Sequence, residues 1–123
     1  PGFLDRKRAI EQAYRSGLEG VGDVAFQQVS PDVEHNCWLH TIATDDQAAL
    51  IQTLRDCRID CRPFWVPMNR LPMYQACHYV NRNDVAGQVY SRGISIPSST
   101  NLTDEQVSTV IEVIRGHFRR ARR

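Results

Sequence analysis

The sequence predicts an α+β fold, a two-layer sandwich in which a small, mainly antiparallel sheet is backed by helices. Three observations predict it. Segments at the two ends of the chain carry apolar residues at helical spacing, short apolar stretches bounded by Gly, Pro, Ser and Asp lie between them, and the order α-β-β-α-β-loop-α-β-α lacks the regular alternation of a parallel sheet. The chain has 123 residues, enough for one domain that buries about two thirds of its unfolded surface.

From Leu4 to Leu18, the residues Leu4, Ala9, Ile10, Ala13, Tyr14 and Leu18 form an apolar stripe among Arg and Glu, and the Gly17 to Gly22 region ends that helix. Val24 to Val29, between Gly22-Asp23 and Ser30-Pro31, reads as a strand. In Cys37 to Ala43, Trp38, His40 and Ile42 alternate with Leu39 and Thr41, which predicts a second strand. Thr44 and Gln47 have capping-box spacing, with the hydroxyl accepting an amide and the Gln reaching back. A helix through Ala48, Leu50, Ile51 and Leu54 to about Cys57 should follow.

Ile59 to Trp65 should be extended, and Pro63, which lacks a ladder donor, confines it to an edge or a strand end. The stretch RPFWVPMNRLPMYQ, residues 62 to 75, continues as a loop because Pro67 and Pro72 exclude a regular helix across it. Asn83 to Arg92 predicts a short helix with Val85, Ala86 and Val89 inward. Gly93 to Pro97 predicts a short buried strand. Thr103 and Gln106 form a second capping box, ahead of a helix whose Val107, Val110, Ile111, Ile114 and Phe118 line one face.

With 41% hydrophobic and 24% charged residues, disorder, a collagen and a disulfide scaffold are excluded. No apolar run is long enough to cross a bilayer, and no export signal is visible, so a soluble, cytoplasmic protein is expected with Cys37, Cys57, Cys61 and Cys77 as reduced thiols. The chain lacks an initiator Met and opens directly into a helical pattern, so a fragment or processed product is expected.

Candidate chemistry is sparse. Cys57, Cys61, Cys77 and His78 offer zinc-ligand atoms at poor spacing, and no cysteine sits in a nucleophile signature with His35, His40 or His78, so no metal site is expected. Lys7, the single lysine, lies on the polar side of the first helix and is a poor Schiff-base candidate. Arg115, Arg119, Arg120, Arg122 and Arg123 make the tail cationic, while the remainder holds ten basic against fourteen acidic residues. This permits an alternative reading as a non-catalytic module binding nucleic acid, although cations at a helix C-terminus also suit the macrodipole. The proline-fixed loop can present Arg62, Trp65, Asn69, Arg70 and Tyr74 in set positions, as a binding surface requires. It could equally cover a core with Phe64, Met68, Leu71 and Met73.

The whole chain resembles the C-terminal small domain of the DegT/DnrJ/EryC1/StrS aminotransferases, pyridoxal-phosphate enzymes that aminate nucleotide-linked keto-sugars. The resemblance is carried by RKRAIEQAY at 6 to 14, NCWLHTI at 36 to 42, LRDCRIDCRPFWVPMNRLPMYQ at 54 to 75 and GISIPSSTNLTDEQVSTVIEVI at 93 to 114. PMNRLPMY is most similar to the branch acting on UDP-linked amino sugars for nonulosonate or surface-polysaccharide synthesis, with Asn69 where other branches usually carry His. The resemblance implies a fold-type-I homodimer with its active site at the subunit interface and its cofactor-holding lysine in a large domain that precedes this chain. It implies substrate contact by Asn69, Tyr74, Arg62 and Trp65, transfer of an amino group from glutamate to a sugar ketone, and no catalysis by this portion alone. Arg62 could instead pair with a local carboxylate, and Trp65 could be core.

Overall fold

The computed structural model describes residues 2–121. Its elements are α1 (Gly2–Leu18), β1 (Ala25–Phe26), β2 (His40–Ala43), α2 (Gln47–Asp56), β3 (Arg62–Pro63), α3 (Val85–Arg92), β4 (Gly93–Ile96) and α4 (Asp104–Ala121). Two 3-10 turns, Met68–Arg70 and Pro72–Tyr74, lie between β3 and α3. The four strands pair antiparallel in the order β1-β2-β4-β3, the α+β sandwich that the sequence predicts.

The register sorts the sheet into two faces. His40 opposite Ile96 and Ile42 opposite Ile94 point into the core, whereas Thr41, Ala43 and Ser95 point the other way. The core joins those residues to Ile10, Tyr14 and Leu18 of α1, Leu50 and Leu54 of α2, and the predicted Val107, Val110, Ile111, Ile114 and Phe118 of α4. Helices α1 and α4 approach closely at Gly17, where a Cβ would meet Ile111 at 2.8 Å. The α1 stripe is narrower than predicted: Ala9 is exposed.

Polar groups of this layer are held in place. The Thr103 capping box forms in both directions, with Gln106 N–H donating to Thr103 Oγ1 at 3.2 Å and Thr103 N–H to Gln106 Oε1 at 2.9 Å. Buried His117 of α4 bridges to α2, with Nδ1 2.9 Å from Thr53 Oγ1 and Nε2 2.7 Å from Asp46 Oδ2. His40 is buried edge-on to Tyr14, and burial lowers its pKa to about 4, so it is neutral at pH 7.

Several local expectations are corrected. The box predicted at Thr44 and Gln47 does not form: the Thr44 hydroxyl donates to Asp23 and accepts from Asp46 N–H at 3.1 Å, while Gln47 Nε2 donates to the carbonyls of Tyr90 and Gly93 at 2.8 Å each. Tertiary partners outcompete the local bond there. The first strand is only Ala25–Phe26, because no further pairing with β2 exists beyond Ile42 and Ala43. The second starts at His40 instead of Cys37, since Cys37 adopts φ 52° and Asn36 Oδ1 accepts Trp38 N–H at 3.0 Å, a local turn that excludes extended pairing. Strand β3 lies at the sheet edge as Pro63 requires, and is shortened to Arg62–Pro63. On α3 the expected inward residues Val85, Ala86 and Val89 are all exposed, and Gly87 is the buried one.

Candidate functional site

The proline-fixed loop leaves the sheet edge at β3, and its backbone is set by short-range bonds. Phe64 N–H extends the ladder to Gly93 O at 2.9 Å, Arg70 N–H closes the first 3-10 turn on Pro67 O at 2.9 Å, and Tyr74 N–H closes the second on Leu71 O at 2.9 Å. Pro67, Pro72 and these turns fix φ along the segment without a long helix. An Arg70–Asp84 ion pair at 3.0 Å latches the loop to the start of α3, and the Arg70 guanidinium also lies 5.9 Å from the Tyr90 ring centroid.

The four predicted contact residues are not equally placed. Asn69 is half-buried in the first 3-10 turn and Tyr74 is exposed in the second. Trp65 is not core: it is 61% exposed and stacks on Trp38, itself 66% exposed, with centroids 6.4 Å apart and planes inclined by 26°. Arg62 points to Asp60, 3.7 Å away in an exposed pair, which is the local-carboxylate outcome. Met68 and Met73 do not cover a core either, at 60% and 69% exposure.

A surface of large apolar groups held on a rigid backbone is therefore what the loop builds. Trp38 belongs to it and was not predicted. The alternation gave no signal for it, because it groups Trp38 with the buried His40 and Ile42, and the turn at Cys37 breaks that pattern before β2. Next to the loop, on the sheet face opposite the helical core, lies a cleft of about 440 Å³ lined by Ala25, Thr41, Ala43, Phe64, Val85 and Val89. Arg92 at its rim pairs with Asp45 at 2.7 Å and approaches Asp23 at 3.9 Å. Burial of Asp23 pushes its carboxyl up, but bonds from the Asp45 amide and the Thr44 hydroxyl, with Arg92 nearby, hold it below the usual range.

The comparisons with known proteins bear on the family and the fold. A profile of the DegT/DnrJ/EryC1/StrS aminotransferase family matches residues 1–115. The chain belongs to that family. It is 27% identical over 117 residues to EpsN of Bacillus subtilis (strain 168), assigned as a pyridoxal phosphate-dependent aminotransferase, covering 90% of this chain and 30% of that protein. It is 31% identical over 119 residues to the GDP-perosamine synthase of Escherichia coli O157:H7, covering 94% of this chain and 32% of that protein. Among solved structures it superposes on DesV of S. venezuelae, crystallised with a ketimine intermediate, with a TM-score of 0.84 at 24% identity over 94% of this chain and 32% of that one. The chain thus spans about a third of the length of the curated relatives it matches.

Whether this portion of a family member can hold pyridoxal phosphate is decided by its amine. Lys7, the chain's one lysine, donates to Trp38 O at 2.8 Å and to Ser98 O, clipping α1 to the segments that flank β2 and β4. Burial lowers its pKa, but both bonds turn the amine toward backbone carbonyls. Lys7 does not fit the role of cofactor-holding lysine. The zinc-type candidates also come apart: Cys61 is buried, whereas Cys57, Cys77 and His78 are exposed. In the tail, Arg115 and Arg119 both pair with Glu112 at 3.1 Å, which reduces the charge available for phosphates; Arg122 and Arg123 lie outside the described residues.

No helix among the described residues is long and apolar enough to cross a membrane.

Proposed function

We propose that this chain is the small domain of a cytoplasmic pyridoxal-phosphate aminotransferase that transfers an amino group from glutamate to a nucleotide-linked keto-sugar for surface-polysaccharide or nonulosonate synthesis. In this reading the large domain and its cofactor lysine lie elsewhere in the complete homodimeric enzyme, and the present portion is inactive alone. The observation that carries the reading is the proline-fixed loop with Trp65, Met68, Met73 and Tyr74 exposed and nothing among the described residues to cover them. Exposed apolar patches of this kind mark binding or interaction faces.

Within that site Asn69 and Tyr74 are the hydrogen-bonding groups that would orient the sugar, Trp65 on Trp38 supplies an aromatic wall, and Arg62 is secondary because Asp60 already engages it. Bound pyridoxal phosphate would supply the electron sink for amino transfer, and this chain's residues would position the sugar ketone and exclude water. The resemblance of the loop favours a UDP-linked sugar, while the names of the GDP-perosamine synthases favour a GDP-linked one.

The test is amination of UDP- and GDP-linked 4-keto-sugars by the complete enzyme with glutamate, followed by mass spectrometry of the product. Formation of an amino sugar from either supports the reading. Turnover of free keto-sugars or keto acids with neither nucleotide sugar accepted contradicts it.

A further inference from the structure

Among the described residues, the one place where metal-type ligands of different chemistry converge is the junction between α1 and the irregular segment before β2. Glu11 Oε2, His35 Nδ1 and Cys37 Sγ meet there: Cys37 Sγ donates to Glu11 Oε2 at 2.8 Å, His35 Nδ1 lies 3.3 Å from the same oxygen, and Cys37 Sγ lies 3.7 Å from His35 Nδ1. In a tetrahedral zinc site with ordinary bond lengths, the nitrogen–oxygen edge is about 3.3 Å and the sulfur–nitrogen edge about 3.6 Å. Two of the three edges therefore already have the length that a shared metal imposes. The third is a thiol–carboxylate hydrogen bond, which replacement of its proton by a metal would lengthen by about 0.7 Å.

The surroundings fit a cation held by this triad. Arg15 donates to Glu11 Oε1 at 2.9 Å from Nε and lies 2.8 Å from it through a second nitrogen, so the other carboxylate oxygen is oriented toward the thiol and the imidazole. Glu11 and His35 also line an open groove with Arg8, Gln12, Gln27 and Gln28, through which an ion and a water ligand can enter. Within the same junction His40, buried to 4% exposure, has its Nε2 without a partner and shares a small cavity with Glu11 and His35. Lys7 and Arg8 are the further cations near Cys37, and Arg8 is engaged by Glu34 at 2.6 Å.

We propose that Glu11, His35 and Cys37 form a three-ligand site for a borderline-soft divalent transition metal, zinc above all, that staples the segment before β2 to α1. Sulfur and imidazole ligands select against magnesium and calcium. Binding exchanges the thiol proton for the metal: the S–H bond breaks, an S–metal bond forms and one proton leaves to solvent, with no change of oxidation state. Thiolate and carboxylate together balance the divalent charge, and a water completes the tetrahedron.

The experiment is titration of the 123-residue chain with cobalt(II) in chelator-treated buffer, followed by back-titration with zinc. The expected result is one equivalent of cobalt with a thiolate charge-transfer band and tetrahedral d–d absorption, reversed by zinc. The band should be unchanged in the exposed-cysteine variant Cys57→Ser/Cys77→Ser and absent in Cys37→Ser of native circular dichroism. Absence of a thiolate band in the starting chain, or its persistence in Cys37→Ser, overturns the site. If Cys37→Ser does not fold, His35→Asn decides: at least tenfold weaker cobalt binding supports the proposal, and unchanged affinity overturns it.

Discussion

The two faces of the sheet are finished to different degrees. On the helical face, α1, α2 and α4 bury Ile10, Tyr14, Leu50, Leu54, Ile94 and Ile114, and polar groups such as His117 and Thr103 have named partners. On the other face, Val85 and Val89 flank an open cleft, and in the adjoining loop Trp65, Met68 and Met73, with Trp38 stacked against Trp65, stand in solvent on a backbone fixed by prolines and the Arg70–Asp84 pair. Stability therefore comes from one face. The other is rigid without being covered, which is the condition of a surface prepared for something outside this chain.

That contrast can be broken most severely from the helical side. Ile114 is wholly buried, so Ile114→Ala should cost about 2–5 kcal/mol, read as a loss of urea-denaturation midpoint, and could unfold the chain. A cost under about 1 kcal/mol would mean that the core does not carry the fold.

The next effect is one of pH. His40 has its pKa lowered to about 4 by burial, so the unfolded chain binds the proton that the folded chain refuses. Its contribution is complete above the unfolded value of about 6.5 and is lost as pH falls from there toward 4, by up to about 1.4 kcal/mol per pH unit. Denaturation at several pH values in chelator should show this slope, and His40→Gln should flatten it. A chain equally stable at pH 7 and pH 5 would contradict the burial argument.

Thr103→Ala removes one arm of the capping box and should cost about 1 kcal/mol, measurable by thermal denaturation. The matching change at Thr44 lacks that meaning, because Thr44 serves Asp23 and Asp46 as a turn and not as a reciprocal cap.

The smallest stability effect belongs to the open face. Trp65→Ala removes only an exposed stack on Trp38 and should shift stability by less than about 0.5 kcal/mol. A larger loss would show that the aromatic pair is part of the core after all.

The sequence made the helical face legible because helical periodicity and the Thr103 box are local signals whose tertiary environment agrees with them. The failures share one cause: distant partners decided the outcome. Gln47 reaches carbonyls beyond forty residues away in α3 and β4. The apolar spacing of Val85 and Val89 points inward only where a stripe is covered by its own domain, and among the described residues this one is not. For the loop, composition gave rigidity and the candidates Asn69, Tyr74, Arg62 and Trp65, but it could not pair Trp65 with Trp38 or Arg62 with Asp60. Glu11, His35 and Cys37 are not legible as a group in the sequence, because a carboxylate on another element completes it and cysteine spacing does not show that.

The central claim is that the open face is half of a sugar site. The direct measurement is kcat/KM of the complete enzyme for its nucleotide keto-sugar with Asn69→Ala and Tyr74→Phe, alongside the thermal midpoint of each variant. The account predicts a fall of at least tenfold, about 1.4 kcal/mol of transition-state binding, with the midpoint unchanged. Unaltered kcat/KM in both variants would contradict it.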